Sequence, residues 1–364
     1  MIEIRRYTPQ DAAEWNQFVK DSRQGTFLFD RNYMDYHQDR FHDHSLMIYS
    51  KNHLIAILPA NKQYLPANKQ QLSLQESTMA TEATKILISH QGLTYGGLLT
   101  SQNVTAEIAC DIFEALKSYL IANGFQKLIY KAIPWIYHKI PSEEDLYALI
   151  HIGKAKLCTR EISTTIPLSY PSLQHAIFPS EQTCPSEQDC IFAALSKQSI
   201  RFSEQRRRGI KKGILHHLSI EKCDAEQIGL FWNILRNNLQ ERYGIYPVHT
   251  LEEMQLLMRR FPDHILCYIV RDKEEVVGGT VIYHTPQVVH TQYIAASAKG
   301  KEEGALDFLF DYLINQRKWD AAYLDFGKST EHEGNYLNRN LIHQKEGFGG
   351  RGVIFDTYEW TING

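Results

Sequence analysis

Two stretches of the chain share one pattern of apolar and polar positions. From Phe41 the sequence is FHDHSLMIYSKNHLIAILPA, and from Phe261 it is FPDHILCYIVRDKEEVVGGTVI. Each begins F-x-D-H-x-L, continues through alternating apolar residues to a charged or polar tip, and returns to apolar residues. A run with this period on both sides of a polar turn is typical of a β-hairpin. The sequence therefore predicts the same hairpin twice.

The repeat extends beyond the hairpins. Before them lie AEWNQFV and GLFWNIL, which place Trp15 and Trp232 at matched helical positions, so we predict that both are core residues. After them lie matching helix–strand segments, which start at Phe113 and Leu306, and matching final strands, which start at Arg160 and Val353. Because the matches keep one order and nearly one separation, we predict a tandem duplication.

The second copy shows the order of elements most clearly. The strand LHHLSIEKC precedes a helix predicted over 225–243, and a second helix follows with Thr250 as N-cap and Glu253 as its capping-box partner. The hairpin, the strand QVVHTQYIAAS, a helix to Lys318, the strand AAYLDFG, a helix near NYLNRNLIHQ and a last strand complete the order β-α-α-β-β-β-α-β-α-β. The helical crossover from Ala305 to Lys318 requires the strands on its two sides to be parallel.

Three breaks in the pattern divide the chain. Residues 169–186 are rich in Pro, Ser and Gln without an apolar period and are predicted to be a linker. The first lobe then spans 1–168 and the second 187–364, preceded by a basic helix over 190–213. The duplicated run LPANKQYLPANKQ has no counterpart in the second copy, so residues from about 62 to 85 are predicted to be an irregular insertion.

Composition limits the class of protein. The chain has 364 residues, 43% hydrophobic and 22% charged, which is the balance of a soluble globular protein with two domains. No apolar run approaches the ~20 residues of a membrane-spanning helix. The N-terminal residues lack the apolar core of a signal peptide, and the six cysteines are scattered without C-x-x-C spacing. We therefore expect a cytoplasmic protein with reduced thiols and no membrane insertion.

The element order resembles the GNAT acyltransferase fold, and two such halves resemble the FemAB-like family. The strings that carry the resemblance are SHQGLTYGGLLT in the first lobe and RFSEQRRRGIKKGI, LDFGKST and HQKEGFGGRG in the second. The resemblance implies an α/β (α+β) fold of two tandem GNAT-type lobes, each with a mixed, mostly antiparallel sheet flanked by helices. It also implies transfer of an acyl or aminoacyl group to an amine.

A donor site is implied where a loop precedes a helix, because free backbone N–H groups and the helix dipole hold phosphate there. The candidate is SAKGKEEGALDF, with Ser297, Gly300 and Gly304. Glu302 and Glu303 depart from the Gly-rich acyl-CoA loop of single-lobed GNAT enzymes. An ordinary acidic helix start is the alternative for this segment.

The run RFSEQRRRGIKKG is the strongest local charge in a chain whose net charge is only −3. On a helix, Arg201, Arg208 and Lys212 share one face. Such a face suits the phosphates of a nucleotide-linked substrate or of tRNA. A solvated basic helix is the alternative.

The remaining candidates are assigned by their place in the resemblance. The carboxylates Asp325 and Glu331 are candidate bases, and Tyr293 or Tyr243 is a candidate acid for the leaving group. The acceptor side of the cleft is predicted to contain aromatic residues of the loop after the first helix of each lobe and the Lys-x-x-Phe-Gly pattern, namely Tyr33, Tyr36, Tyr243, Tyr246, Lys345, Phe348 and Gly349.

The run HQDRFHDH has the composition of a metal site, but its Asp43-His44 pair recurs as Asp263-His264 without the other ligands. No metal and no permanently bound cofactor are therefore expected. The predicted reaction forms an amide on an amine of a cell-envelope precursor or amino sugar, with aminoacyl-tRNA or acyl-CoA as the donor substrate and a monomer as the working form. The alternative is a non-catalytic protein that keeps the fold to recognise a phosphorylated ligand.

Overall fold

The computed structural model describes residues 2–65, 84–168 and 202–362. The predicted linker, Arg201, the start of the predicted basic helix and most of the predicted insertion lie outside these ranges. The chain divides into two compact units: Met1–Glu161 with Glu333–Asn335 and Ile354–Gly364, and Ile162–His332 with Tyr336–Val353. None of the helices in the described ranges combines the length and apolar character needed to cross a membrane.

The first unit contains two sheets and four α-helices among its described residues. The elements are β1 (Ile2–Arg6), α1 (Ala12–Asp21), α2 (Arg31–Met34), β2 (His42–Asp43), β3 (Leu46–Ser50), β4 (His53–Leu58), β5 (Asn61–Leu65), β6 (Thr84–Ile88), β7 (Leu99–Thr100), α3 (Ala106–Ala122), β8 (Lys127–Lys131), α4 (Glu144–His151) and the first half of β9 (Lys156–Pro167). One sheet has the order β1-β3-β4-β7. In the other, β6 is antiparallel to β5 and parallel to β8.

The second unit contains one large sheet and the short two-stranded sheet β15–β16 among its described residues. Its elements are the second half of β9, α5 (Glu204–Leu215), β10 (Ser219–Cys223), α6 (Gly229–Tyr243), α7 (Leu251–Arg260), β11 (Ile265–Asp272), β12 (Glu275–His284), β13 (Val288–Ala296), α8 (Ala298–Glu303), α9 (Ala305–Asp311), β14 (Tyr323–Lys328), β15 (Thr330–Glu331), β16 (Tyr336–Leu337), α10 (Arg339–Glu346) and the start of β17 (Arg351–Thr361). The strand order is β10-β11-β12-β13-β14-β9.

The predicted order of elements is confirmed in the second unit. Thr250 caps α7 and forms a capping box with Glu253. Strands β13 and β14 are parallel, as the crossover requires. The crossover itself is divided into α8, α9 and a π-helical turn over Tyr312–Gln316, and the short hairpin β15–β16 precedes α10.

The two hairpins are built alike, which confirms the duplication at the level of the fold. Lys51-Asn52 join β3 to β4, and Lys273-Glu274 join β11 to β12. Each hairpin has a register shift on its second strand close to the turn, which places Ile55 and Val277 at the extra position. Both strands of the second hairpin are longer than those of the first. The two sequence repeats therefore correspond position by position at the start of the hairpin but not at its turn.

Trp15 and Trp232 are both buried, as predicted. The Nε1 atom of Trp15 donates to the carbonyl oxygen of Phe29 at 2.8 Å. The ring of Trp232 packs edge-on against Tyr293 with 5.3 Å between centroids. Trp15 lies on α1 and Trp232 lies on α6, so both are helical, as the repeat predicted.

The predicted lobe boundaries assign each final strand to one half of the sequence, but the structure divides both strands between the units. Residues 162–167 of β9 pair with β14 and belong to the second unit. Residues 357–361 of β17 pair with β8 and belong to the first unit. Each unit therefore completes its sheet with a strand from the other half of the sequence.

Candidate active site of the second unit

A row of polar side chains crosses three strands of the second unit. Ile166, Leu324 and Val289 contribute to the apolar core beneath the helices. The adjacent position on each strand, which precedes Ile166 and follows Leu324 and Val289, faces the other side of the sheet, because side chains alternate along a strand. Thr165 is in register with Asp325, and Asp325 is in register with His290. We call Thr165, Asp325 and His290 the polar row.

Asp325 is the centre of the polar row and is fully buried. The Nδ1 atom of His290 lies 2.8 Å from Oδ2 of Asp325, and Thr165 Oγ1 donates to Oδ1 at 2.9 Å. The hydroxyl of Ser163 also donates to Oδ1. Burial raises the pKa of Asp325, but the hydrogen bond and charge of His290 and the two hydroxyl donors outweigh it, so the pKa lies below its ordinary value.

The polar row lies where two parallel strands separate. Strands β13 and β14 pair over only three positions, and the last pair is His290 with Asp325. Beyond it, a register shift on β13 leaves Gln292 without an opposite residue on β12, and a second shift lies on β14 between Asp325 and Lys328. Bulges of this kind bend a strand and change the direction of the side chains beside it. The ladder between the two strands therefore ends directly after the polar row, and we call the region beyond its last pair the gap.

Gly327 lies in the bulge of β14, with a φ of 74°. A Cβ atom at this position would lie 3.3 Å from Cε1 of His290. A side chain here would combine a strained backbone with a tight contact to the imidazole. Glycine therefore lets the backbone of β14 pass close to the histidine.

Lys345 on α10 is buried beside the same bulge. Its Nζ atom donates to the carbonyl oxygens of Gly327 at 2.9 Å and Lys328 at 2.8 Å. Burial lowers the pKa of Lys345 to about 8, although the Asp325 carboxylate raises it. This ammonium group fixes the bulge and adds a positive charge near Asp325.

The depressed pKa of Lys345 predicts a pH dependence of stability. Between about pH 8 and the ordinary lysine value of about 10.4, the unfolded chain binds more protons at this residue than the folded chain does. The free energy of unfolding should therefore rise with pH through this window, by on the order of 3 kcal/mol relative to Lys345→Met. Denaturant unfolding at several pH values measures the difference, with the exposed Lys212→Met as control. Parallel pH curves for wild type and Lys345→Met would contradict the prediction.

The predicted donor loop begins a capped helix, but its two glycines pack against backbone carbonyl groups. Ser297 caps α8 by accepting a hydrogen bond from the N–H of Gly300 at 3.1 Å. A Cβ atom at Gly300 would lie 2.1 Å from the carbonyl oxygen of Val277, and one at Gly304 would lie 2.2 Å from that of Gly209. Both glycines thus allow close packing inside the unit, which is a different use from the approach of phosphate that the sequence suggested.

The basic helix packs against α9 through its own glycines. Gly209 lies against Asp307, and Gly213 lies against Phe308. Arg206 pairs with Asp307 at 2.6 Å, and both side chains are largely buried. Arg206 is therefore a structural residue of this helix pair.

The other basic residues of α5 are on the surface. Arg208 is exposed and pairs with Glu204 one turn earlier. The Nζ atom of Lys212 donates to the carbonyl oxygen of Glu302 on α8 at 3.3 Å, so the exposed basic face lies beside the predicted donor loop. Arg207 and Lys211 are also exposed on this helix.

Other predicted residues of the second unit lie outside the polar row. Burial raises the pKa of Tyr293 to about 12, and its hydroxyl lies 2.7 Å from Nδ1 of His249. Glu331 on β15 is exposed and accepts a hydrogen bond from Asn338 at 2.7 Å. Tyr243 and Tyr246 are exposed at and after the end of α6. Of the residues that the sequence predicted for the site, only Asp325 belongs to the polar row, and Lys345 lies beside it.

The Lys-x-x-Phe-Gly pattern has two uses. Lys345 faces the bulge of β14, whereas Phe348 is a core residue that stacks on Phe326 with 5.4 Å between ring centroids. Gly349 has a φ of 91° and turns the chain into β17. The structure thus places Phe348 in the apolar core.

The predicted residues of the first unit are mainly packed against other aromatic rings. Tyr33 is buried and contacts Phe27 edge-on at 5.4 Å, and Tyr36 stacks on His37 at 4.2 Å. In the run HQDRFHDH, Asp43 pairs with Arg31 while His44 faces Tyr119. Among the residues that the structure describes, no three His, Cys, Asp or Glu side chains form a group that could hold a metal ion.

Sequence reasoning missed His290, Thr165 and Ser163. His290 lies in the predicted strand QVVHTQYIAAS, where the period of two does separate it from the core residue Val289. The missing information was the register, because only the pairing of β13, β14 and β9 shows that His290 and Thr165 meet Asp325. Aligning the polar positions of strands predicted to be parallel is the signal that could have found His290.

Residues 196–335 match the family model described as the acetyltransferase (GNAT) domain. Among curated proteins, no sequence matches that of this chain. The matched segment includes His290 and Asp325 of the polar row and the strands β13 and β14, so this part of the chain is similar to a GNAT domain.

Solved structures show the same fold over the whole chain. The structure of FemX covers 99% of this chain and 98% of its own, with a TM-score of 0.63 at 10% identity. A protein of unknown function from Bacteroides thetaiotaomicron covers 100% of both chains, with a TM-score of 0.54 at 8% identity. The C-terminal domain of a putative lysylphosphatidylglycerol synthetase from Agrobacterium fabrum covers 98% and 92%, with a TM-score of 0.52 at 11% identity. The FemAB-like tandem GNAT fold predicted from the sequence is therefore confirmed.

Proposed function

We propose that this protein is an N-acyltransferase that joins an aminoacyl group, carried as an ester on tRNA, to an amine. The observation that carries the choice of donor is the exposed basic face of α5, which lies beside α8 at the end of β13. Clustered cations on one surface bind the phosphates of a nucleic acid with little dependence on sequence. The likeness in fold to FemX and to a putative lysylphosphatidylglycerol synthetase is consistent with this donor class.

The packing of the donor loop weakens the case for acyl-CoA. A compact pyrophosphate is held best by free backbone N–H groups with glycines that allow close approach. Here Ser297 already binds the N–H of Gly300, and both glycines of the loop pack against backbone carbonyl groups. Acyl-CoA is therefore the second donor to test.

The gap between β13 and β14 is the proposed position of the reacting ester. The amine attacks the ester carbonyl carbon, the new C–N bond forms, and the C–O bond to the ribose breaks. The proposed acceptor is the amine of a cell-envelope precursor or amino sugar, as the FemAB-like resemblance implies. The exposed rings of Tyr243 and Tyr246 offer an aromatic surface to such a sugar.

Charge reversal at Arg208 tests the donor class. Arg208 is exposed and its ion-pair partner, Glu204, is exposed too, so Arg208→Glu should fold normally. Binding of alanyl-tRNA should weaken, and its dependence on the logarithm of salt should become shallower by about 0.7–0.9 for each phosphate that the variant no longer neutralises. Binding of acetyl-CoA should hardly change.

The matched control is Arg259→Glu, because Arg259 is also an exposed helical arginine paired with an exposed glutamate, Glu226. Equilibrium binding at two salt concentrations separates the candidates. An equal loss of tRNA binding in both variants would indicate only a general charge effect. Unchanged tRNA binding in Arg208→Glu would remove the evidence for this donor.

A further inference from the structure

Resting on the proposed acyl transfer, we infer that His290 is the base that takes the proton from the acceptor amine, and that Asp325 is the residue that positions its ring. The polar row provides the geometry for both roles. Three donors fix the Asp325 carboxylate, and one of them is the imidazole itself. A base whose orientation is set by a buried carboxylate is a recurrent arrangement in enzymes that activate a nucleophile.

The hydrogen bonds assign the protonation of the pair. An ionised carboxylate only accepts hydrogen bonds, so Nδ1 of His290 carries the hydrogen that Asp325 binds. Nε2 is then the nitrogen that gains and loses a proton during turnover. Asp325 cannot serve as the base itself, because its side chain has no solvent exposure and its oxygens already accept from three side chains.

The position of His290 fits contact with a substrate. It belongs to the last pair before β13 and β14 separate, so it lies at the base of the gap. About 10% of its side chain is exposed, whereas Asp325 has none. The backbone of β14 at Gly327 lies close to the imidazole, because a Cβ atom there would be 3.3 Å from Cε1 of His290.

The charges around the pair suit a base. Oδ2 of Asp325 on β14 lies 2.8 Å from Nδ1 of His290, and Lys345 on α10 adds a positive charge that interacts with Asp325. An amine acceptor arrives mainly as an ammonium ion, which must lose a proton before its lone pair can attack. His290 Nε2 takes that proton. The second proton leaves the nitrogen of the tetrahedral intermediate and goes to the departing ribose oxygen, so one proton per turnover passes through His290 to water.

Two measurements on the full chain test the inference. The first is an imidazole ¹⁵N NMR titration of His290, assigned with His290→Gln. The second is the pH dependence of kcat and KM, with alanyl-tRNA and acetyl-CoA as donor probes and glucosamine as the acceptor probe. The variants are His290→Gln, Asp325→Asn and, as matched control, His264→Gln, whose Nδ1 lies 2.8 Å from the backbone carbonyl oxygen of His284.

We expect His290→Gln to lower kcat by about 10²–10⁴-fold with KM for the donor unchanged. Asp325→Asn keeps the shape of the side chain and should shift the acid limb of the pH profile, and the titration of His290, to lower pH, because the imidazolium loses its partner. A purely structural pair would also shift the NMR titration, so the acid limb of the pH–rate profile is the measurement that a structural role would not move. His264→Gln should match the wild type in both measurements.

The outcomes separate failure of the inference from failure of the proposed function. A wild-type protein that transfers no acyl group from either donor rejects the proposed function. The NMR titration alone then tests the interaction between His290 and Asp325. An active protein in which His290→Gln keeps the wild-type kcat overturns the role of His290. A titration of His290 that is the same in Asp325→Asn overturns the role of Asp325.

Discussion

Replacing Trp15 by alanine should lower the free energy of unfolding of the first unit by about 3–5 kcal/mol. The side chain is fully buried, and its indole N–H is the donor to the Phe29 carbonyl oxygen. The substitution removes a large apolar surface and also leaves a buried carbonyl without that donor, and both effects act in the same direction. Trp232→Ala should cost a similar amount in the second unit, where the indole is likewise buried.

Differential scanning calorimetry measures both effects. The control is Trp135→Ala, because this tryptophan is 51% exposed and its loss should change stability by about 0.5 kcal/mol or less. Trp15→Phe separates packing from hydrogen bonding, since it keeps an aromatic ring and loses the N–H. If Trp15→Ala melts like the wild type but loses activity, the tryptophan is a functional residue and the prediction is wrong.

Replacing Gly304 by alanine should destabilise the second unit by about 2–4 kcal/mol, as the sum of backbone strain and a steric clash. Gly304 has a φ of 78°, and a Cβ atom would lie 2.2 Å from the carbonyl oxygen of Gly209. The clash would push α5 away from α9 and disturb the buried Arg206–Asp307 pair. The sequence alone predicts that a bulky residue here blocks the donor and leaves the fold intact; the structure makes loss of stability the expected result.

Gly244 provides a close control for this substitution. It has a similar φ of 67°, but no described atom beyond its own neighbours in the chain lies within 4 Å of the position where a Cβ atom would be built. Gly244→Ala should therefore show the cost of strain alone, about 1 kcal/mol. Equal effects of the two substitutions on denaturant unfolding would mean that α5 can move aside at no cost.

Local patterns were sufficient to predict most elements of the second unit. The capping box at Thr250 and Glu253 depends on residues three positions apart, and the parallel pairing of β13 and β14 follows from the helical crossover between them. The two hairpins were predictable because alternation and a polar tip are encoded within about 20 residues. Such features depend little on the rest of the chain.

The candidate site was less predictable because it depends on pairing between distant segments. Asp325 was identified as a candidate base, but its hydroxyl donors Ser163 and Thr165 come from the first half of the sequence. Likewise, the charge of α5 was evident, whereas the packing of Gly209 against Asp307 was not. Periodicity identifies which face of an element is apolar, but it does not identify the partner of that face.

The division of β9 and β17 between the units has a consequence for how the chain folds during synthesis. The first unit lacks the strand beside β8 until residues 354–361 have been made. Until then β8 presents an unpaired edge, and such edges favour pairing with other chains. Closing this pair also spans more than 200 residues of sequence, and pairings between segments so distant form slowly. On the ribosome, the first half of the protein is therefore expected to wait, incomplete and prone to aggregation, until residues 354–361 have emerged.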